Sequence, residues 1–269
     1  MLKTDLTNQT QSAQSLLCES CGYALGGLGS DGQCPECGVS VAASLPAQRP
    51  GSPWQIARGL SAWSDTLQLL LAEPAGLFRL VKISAPASQS LLHANLIAAA
   101  TIATLAGMAR AWMVILGGAG DLLVWRQTLP LAAVAAWPLV YGGLYLATYV
   151  ETRGLRFFGS RRGWRVTPDV AWTVCSHASY GWIAAAGLFG VVLVGQPLSG
   201  IATPQPVFDF LDNLDALLGL NARLYRWVGR LAMPALASTL GLLLFSIWVY
   251  VGVRICRYAN TPESTPAAS

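Results

Sequence analysis

Segments 91–109, 129–150, 171–195 and 231–253 are predominantly apolar and contain no Asp, Glu, Lys or Arg. A bilayer core about 30 Å thick is crossed by about 20 such residues in a helix, whose backbone polar groups are satisfied internally. Each segment is therefore predicted to span a membrane. Composition agrees. The chain of 269 residues is 54% hydrophobic and 11% charged, with a mean hydropathy of +0.48, whereas soluble domains carry roughly a quarter charged residues. The stretch 111–125 is also apolar but short, and it contains Gly117, Gly118, Gly120 and Asp121. It is read as an extension of the first span followed by a turn.

The expected fold is an all-α integral membrane bundle of about four spans behind a small N-terminal, cysteine-bearing β ribbon. Residues 1–17 are polar, without the apolar core of a secretory signal, and are expected to be disordered. The ribbon occupies 18–41, and the Ala-, Ser- and Pro-rich segment 42–53 reads as a linker. Residues 54–83 predict two amphipathic interfacial helices: Leu60, Trp63, Leu67, Leu70 and Leu71 recur at helical spacing, and Pro74 starts a second helix. The bundle takes 84–258, and 259–269 is expected to be a disordered tail. Thr128 with Pro130, and Thr167 with Pro168, are predicted helix starts, because a hydroxyl caps free N–H groups and proline suits the first turn.

Four of the six cysteines form two C-x2-C pairs, Cys18 with Cys21 and Cys34 with Cys37. A pair on a tight turn can aim both sulfurs at one ion, and four thiolates close a tetrahedron that suits structural zinc. Gly22 and Gly38 follow the pairs, where the knuckle must turn back sharply. So small a module lacks a core of its own, and the metal would supply most of its folding energy. Iron in a rubredoxin-like site is the weaker alternative. Residues 18–41 hold Glu19, Asp31 and Glu36 but no Lys, Arg or His. Such an anionic module disfavours nucleic acid and favours a protein partner. Cys175 and Cys256 are read as inert buried thiols.

Orientation follows from the basic residues. Segment 151–170 carries Arg153, Arg156, Arg161, Arg162 and Arg165, which places it in the cytoplasm, and with four spans both termini join it there. A reducing cytoplasm on the side of the cysteines suits this arrangement. Arg223, Arg226 and Arg230 precede the fourth span on the side assigned outside; a fifth span would move them inward. The only histidines are His93 and His177. Each reads either as a hydrogen-bonded neutral imidazole or as a weak candidate cofactor ligand. Small residues at four-residue spacing predict close helix packing: Ala99, Ala103 and Gly107, then Gly181 and Ala185, then Ala237 and Gly241. Trp137, Trp172, Trp227, Trp248 and Tyr250 are candidate interface anchors, whereas Trp182 should pack inside.

The run LCESCGYALGGLGSDGQCPECG, a linker ending in RPGSPWQ, and a helix with EPAGLFRLV together resemble bacterial zinc-ribbon membrane proteins. From Glu73 and Pro74 to Val81, ahead of an apolar bundle, the chain is similar to the Yip-type, Rab-interacting membrane domain. The resemblance implies five spans and a non-enzymatic membrane role. With no recognisable hydrolase or phosphate-binding motif in the sequence, the expected function is an adaptor or accessory subunit whose cytoplasmic ribbon contacts a protein partner or membrane complex. A small transporter or channel with a polar pocket near His177 is the alternative, and a cofactor-binding redox subunit or intramembrane enzyme the third reading.

Overall fold

The computed structural model describes residues 16–116, 122–195 and 222–261, and these are mostly helical. After 3-10 turns at Val41–Ser44 and Pro46–Gln48 come α1 (Pro53–Ile56), α2 (Leu60–Ala72) and α3 (Pro74–Leu80). Then follow α4 (Ala85–Leu116), α5 (Leu122–Arg161), α6 (Pro168–Ala178), α7 (Tyr180–Gly195) and α8 (Ala222–Cys256). No strand occurs among the described residues. Where a β ribbon was expected there are two isolated antiparallel bridges, Leu17 with Ala24 and Gln33 with Ser40.

Four helical stretches are long and apolar enough to cross a membrane: Ala85–Met113, Leu131–Arg161, Pro168–Gly195 and Met233–Cys256. They support a membrane-integral protein, and each predicted span lies largely within one of them. The helices outrun the predicted spans. The first continues to Leu116, and the turn expected after it falls outside the described residues. The second starts at Leu122, so Thr128 and Pro130 lie inside it rather than at its head. It also runs on to Arg161 and thereby takes in Glu151, Arg153 and Arg156. A helix need not stop where its side chains become polar; it stops here at Gly163, whose φ of 71° ends the regular backbone. By contrast Thr167 does cap α6, its hydroxyl accepting the Val170 N–H at 3.3 Å.

The chain divides into two compact units. One comprises Ala94–Leu146 and Ser179–Phe245. Within it small residues set the packing. A Cβ built on Gly181 would meet Phe245, one on Gly190 would meet Ala106, and one on Gly241 would strike the backbone of Ala185. Trp182 is buried, as expected, and its ring lies 4.9 Å from that of Phe245. Asn95 donates to Ser179 Oγ at 2.8 Å, and the Trp137 indole donates to Thr101 Oγ1 at 3.1 Å.

The other unit comprises Met1–His93, Ala147–Ala178 and Ser246–Ser269. Its interior includes Leu77, Phe78, Val81, Val170, Val174, Val249 and Val253. Gly252 lies against Val174 and Phe78. Trp248 is buried rather than anchored at an interface, because it falls on the stripe of Phe245, Val249 and Gly252 that faces inward. Of the predicted stripe in α2 only Leu70 is buried, beside Ala62 and Thr66; Trp63 and Leu67 are half-buried and Leu60 and Leu71 exposed, while Leu77 and Phe78 of α3 are buried.

Close approach at Gly241 leaves no room for a side chain. Gly241→Val is expected to destabilise the protein by at least about 1–3 kcal/mol, the usual cost of overpacking. Gly107→Ala, where nothing lies within 4 Å, should be neutral or better. Thermal aggregation midpoints in detergent check both; equal midpoints would refute the packing.

Candidate metal centre

The cysteine module is built from two matching turns. Gly22 N–H donates to Cys18 O at 2.8 Å and Gly38 N–H to Cys34 O at 2.9 Å, while Cys18 N–H reaches Tyr23 O and Cys34 N–H reaches Val39 O, both at 2.8 Å. Gly22 and Gly38 have φ of 82° and 72°, a left-handed conformation that glycine adopts without steric cost. Each turn thus delivers two sulfurs to the same side. The four ligand atoms of Cys18, Cys21, Cys34 and Cys37 lie within 4.8 Å of one another. Cys18 Sγ is 3.5 Å from Cys37 Sγ, and Cys21 Sγ is 3.6 Å from Cys34 Sγ. Four sulfurs at about 2.3 Å from one ion would stand about 3.8 Å apart. The donor set therefore fits a closed tetrahedral metal site.

The thiols differ in acidity. Burial pushes Cys18 up, but the N–H groups of Cys21 and Ser20 and the neighbouring Cys37 and Cys21 sulfurs outweigh it and bring it from 9.0 to about 7. For Cys21 the Tyr23 N–H acts downward, yet burial and the Cys34, Cys37 and Cys18 sulfurs raise it to about 12. One thiol yields its proton readily and another resists, because crowded sulfurs share the available hydrogen bonds unequally.

Beneath the thiols lies a small cluster of Leu16, Leu25 and Val41 with Cys18 and Cys34, against which Leu45 packs. The module is not held by this alone. Segment 42–53, expected as a linker, carries buried Ser44, Arg49 and Ser52. Arg49 pairs with Glu19 at 2.8 Å, side chains 5% and 19% exposed, and its Nη1 donates to Phe78 O at 2.8 Å and Val81 O at 3.2 Å. It thus caps the end of α3, whose last carbonyls have no helical partner.

The tail from 259 was expected to be disordered, yet its first residues are fixed. Asn260 donates to Leu17 O at 2.7 Å and Ser44 O at 2.8 Å, accepts from Leu17 N–H at 3.0 Å, and gives its own N–H to Glu19 at 3.1 Å. Arg165 reaches the same Asn260 side chain at 2.7 Å. Arg257 donates to Ser20 O at 3.4 Å, and a Cβ on Gly22 would meet the ring of Tyr258. Residues 262–269 lie outside the described residues, as do 1–15. Nothing in the sequence marked Arg49 or Asn260 beyond their polarity, since their partners are distant in the chain.

His177 is fully buried, with Nδ1 2.8 Å from Thr173 O and Nε2 2.9 Å from Ser52 Oγ. A carbonyl can only accept, so Nδ1 carries the proton and Nε2 accepts from the Ser52 hydroxyl. The same hydroxyl accepts the Gln55 N–H at 3.3 Å in the capping box that starts α1. Both ring nitrogens are occupied, which leaves no lone pair for a cofactor. His93 is exposed and lies apart from the cysteine cluster. Cys175 and Cys256 are buried; Cys256 contacts Phe78 O at 3.4 Å.

Arg49→Ala would strand the α3 carbonyls and leave Glu19 beside buried backbone. A loss of about 3 kcal/mol is expected, at the lower end for a broken buried pair because Glu19 keeps some solvent. Arg49→Lys should recover only part, lacking the fork geometry. Chemical denaturation in detergent provides the check; an unchanged midpoint for the alanine variant would refute the role. No protein-family model matches the chain, nor does any curated protein or solved structure, so its role is read from its own residues.

Proposed function

We propose that the chain is a non-enzymatic membrane adaptor, in which the four cysteines hold structural zinc and the resulting ribbon contacts a protein partner. The observation that carries this reading is the convergence of four sulfurs within 4.8 Å on two matching turns. All-sulfur ligation leaves no open coordination position, which suits a structural ion rather than catalysis. The antiparallel bridges that flank the knuckles, Leu17 with Ala24 and Gln33 with Ser40, suit the paired turns of such a ribbon.

Tyr23, Leu28 and Val39 of the module are exposed apolar side chains, and the absence of Lys, Arg and His from 18–41 favours a protein over a nucleic acid. The tie of Glu19 to Arg49 and of Leu17 to Asn260 would hold the ribbon in a fixed attitude, as an adaptor requires. The resemblance to Yip-type domains points the same way. The unit that carries the cysteines also carries Arg79, Lys82, the arginines from Arg153 to Arg165, Arg254 and Arg257. That bias, with thiols suited to a reducing compartment, favours the cytoplasmic face of a bacterial membrane.

Purified protein is expected to contain about one equivalent of zinc, bound more tightly as pH rises because each thiol must surrender a proton. Competition with a chromophoric chelator at about pH 6 and about pH 8 reads this directly. Iron in place of zinc, or an affinity independent of pH, would overturn the assignment. Topology has its own test. In Ser160→Cys, an impermeant maleimide should label residue 160 only after permeabilisation. Labelling in intact cells would invert the orientation.

A further inference from the structure

The elbow between α1 and α2 is apolar where it faces outward, and its depth along the first span can be read from its hydrogen bonds. Ile56 is 68% exposed and Leu60 87% exposed, with Ala57, Arg58 and Gly59 also exposed between them. Gly59 has φ of 145°, which lets the chain turn there without a Cβ clash. Just before the elbow the Trp54 indole donates to Ser90 Oγ at 3.0 Å. The Gln55 amide donates to Lys82 O at 2.9 Å and Ser88 Oγ at 3.2 Å. Ser90 stands about 8 Å along α4 from Ala85, at 1.5 Å per residue, immediately before the uncharged run that begins at Leu91. Residues 54–55 therefore stand level with the start of the apolar part of the span.

The face of α2 beyond the elbow has a different character. Ser61, Asp65 and Gln68 are exposed, while Ala62, Thr66 and Leu70 are buried. Trp54 N–H also donates to Thr66 Oγ1 at 3.0 Å, which fixes α1 against the middle of α2. So α2 shows a polar surface next to the elbow, and its other strongly exposed large apolar side chain, Leu71 at 62%, lies about three turns away at the far end.

We propose that the elbow, Ile56 to Leu60, is seated in the lipid surface at the boundary of headgroups and acyl chains, beside the first span. Ile56 and Leu60 enter the acyl edge, Arg58 meets a lipid phosphate, and Trp54 supplies the amphipathic ring that such boundaries favour. The elbow, where Ile56 and Leu60 are most exposed, is the element that enters the lipid. The proposal rests on the apolar helices crossing a bilayer, which retention of the full chain in membranes washed with alkaline carbonate tests separately.

The experiment replaces Ile56, Leu60 or Gln68 with p-benzoylphenylalanine in the full chain. Each variant is reconstituted in vesicles of phosphatidylethanolamine and phosphatidylglycerol bearing a radiolabelled acyl chain, then irradiated. Positions 56 and 60 should form lipid adducts several-fold more often than position 68. Equal yields at all positions, or adducts at 56 and 60 dominated by a second copy of the chain, would overturn the proposal. Ala57, exposed in the same turn, gives a further elbow position if a variant fails to elute from size exclusion like the parent protein.

Discussion

A buried arginine organises the unit that carries the cysteines. Arg49 brings a charge out of water, and a charge so placed must be paired and fully hydrogen-bonded or it destabilises everything around it. Here Glu19 neutralises it from the first cysteine turn, and the carbonyls of Phe78 and Val81 accept from its Nη1 at the end of α3. One side chain thus joins the metal-site module, the segment after it and the helices that precede the first span. The cluster is directional, so it fixes a single attitude where hydrophobic contact alone would tolerate several.

Asn260 completes the arrangement from the other end of the chain. Its amide pairs with both backbone groups of Leu17, and its own N–H meets Glu19. The strand of chain leaving the last helix thereby becomes part of the wall of the cysteine module. A module of this size buries too little apolar surface to fold alone. Here its partners are an ion that the thiols are arranged to accept and a polar seat supplied by residues far away in sequence. Loss of either should be felt by the other, because Glu19 lies directly beside Cys18 and answers to Arg49 at the same time.

His177 illustrates a different economy. Within an apolar stretch a histidine attracts attention as a ligand or a relay, but its two nitrogens are consumed by Thr173 O and the Ser52 hydroxyl. Ser52 in turn starts α1 through its capping box with Gln55, and Gln55 holds Lys82 and Ser88. The histidine is thus the buried end of a chain of hydrogen bonds that positions α1 and the elbow after it. Its chemistry is used for architecture.

The sequence by itself determined the elements governed by local rules. Runs of apolar residues without charge must be helical where no water can satisfy the backbone, and each predicted span falls largely on an apolar helix. Paired cysteines trailed by glycine dictate the two turns, because only a left-handed residue closes them. Thr167 caps its helix as its type and place require. Tertiary structure decided the rest. The supposed linker is anchored at Arg49 and Ser52, the supposed tail at Asn260, and Trp248 is turned inward. At Arg49, Ser52 and Asn260 a single side chain finds partners from tens to hundreds of positions away, and no periodicity or spacing records such a pairing. Helix ends escaped for a related reason: polar side chains at 151–161 change what a helix faces, not whether its backbone hydrogen bonds continue.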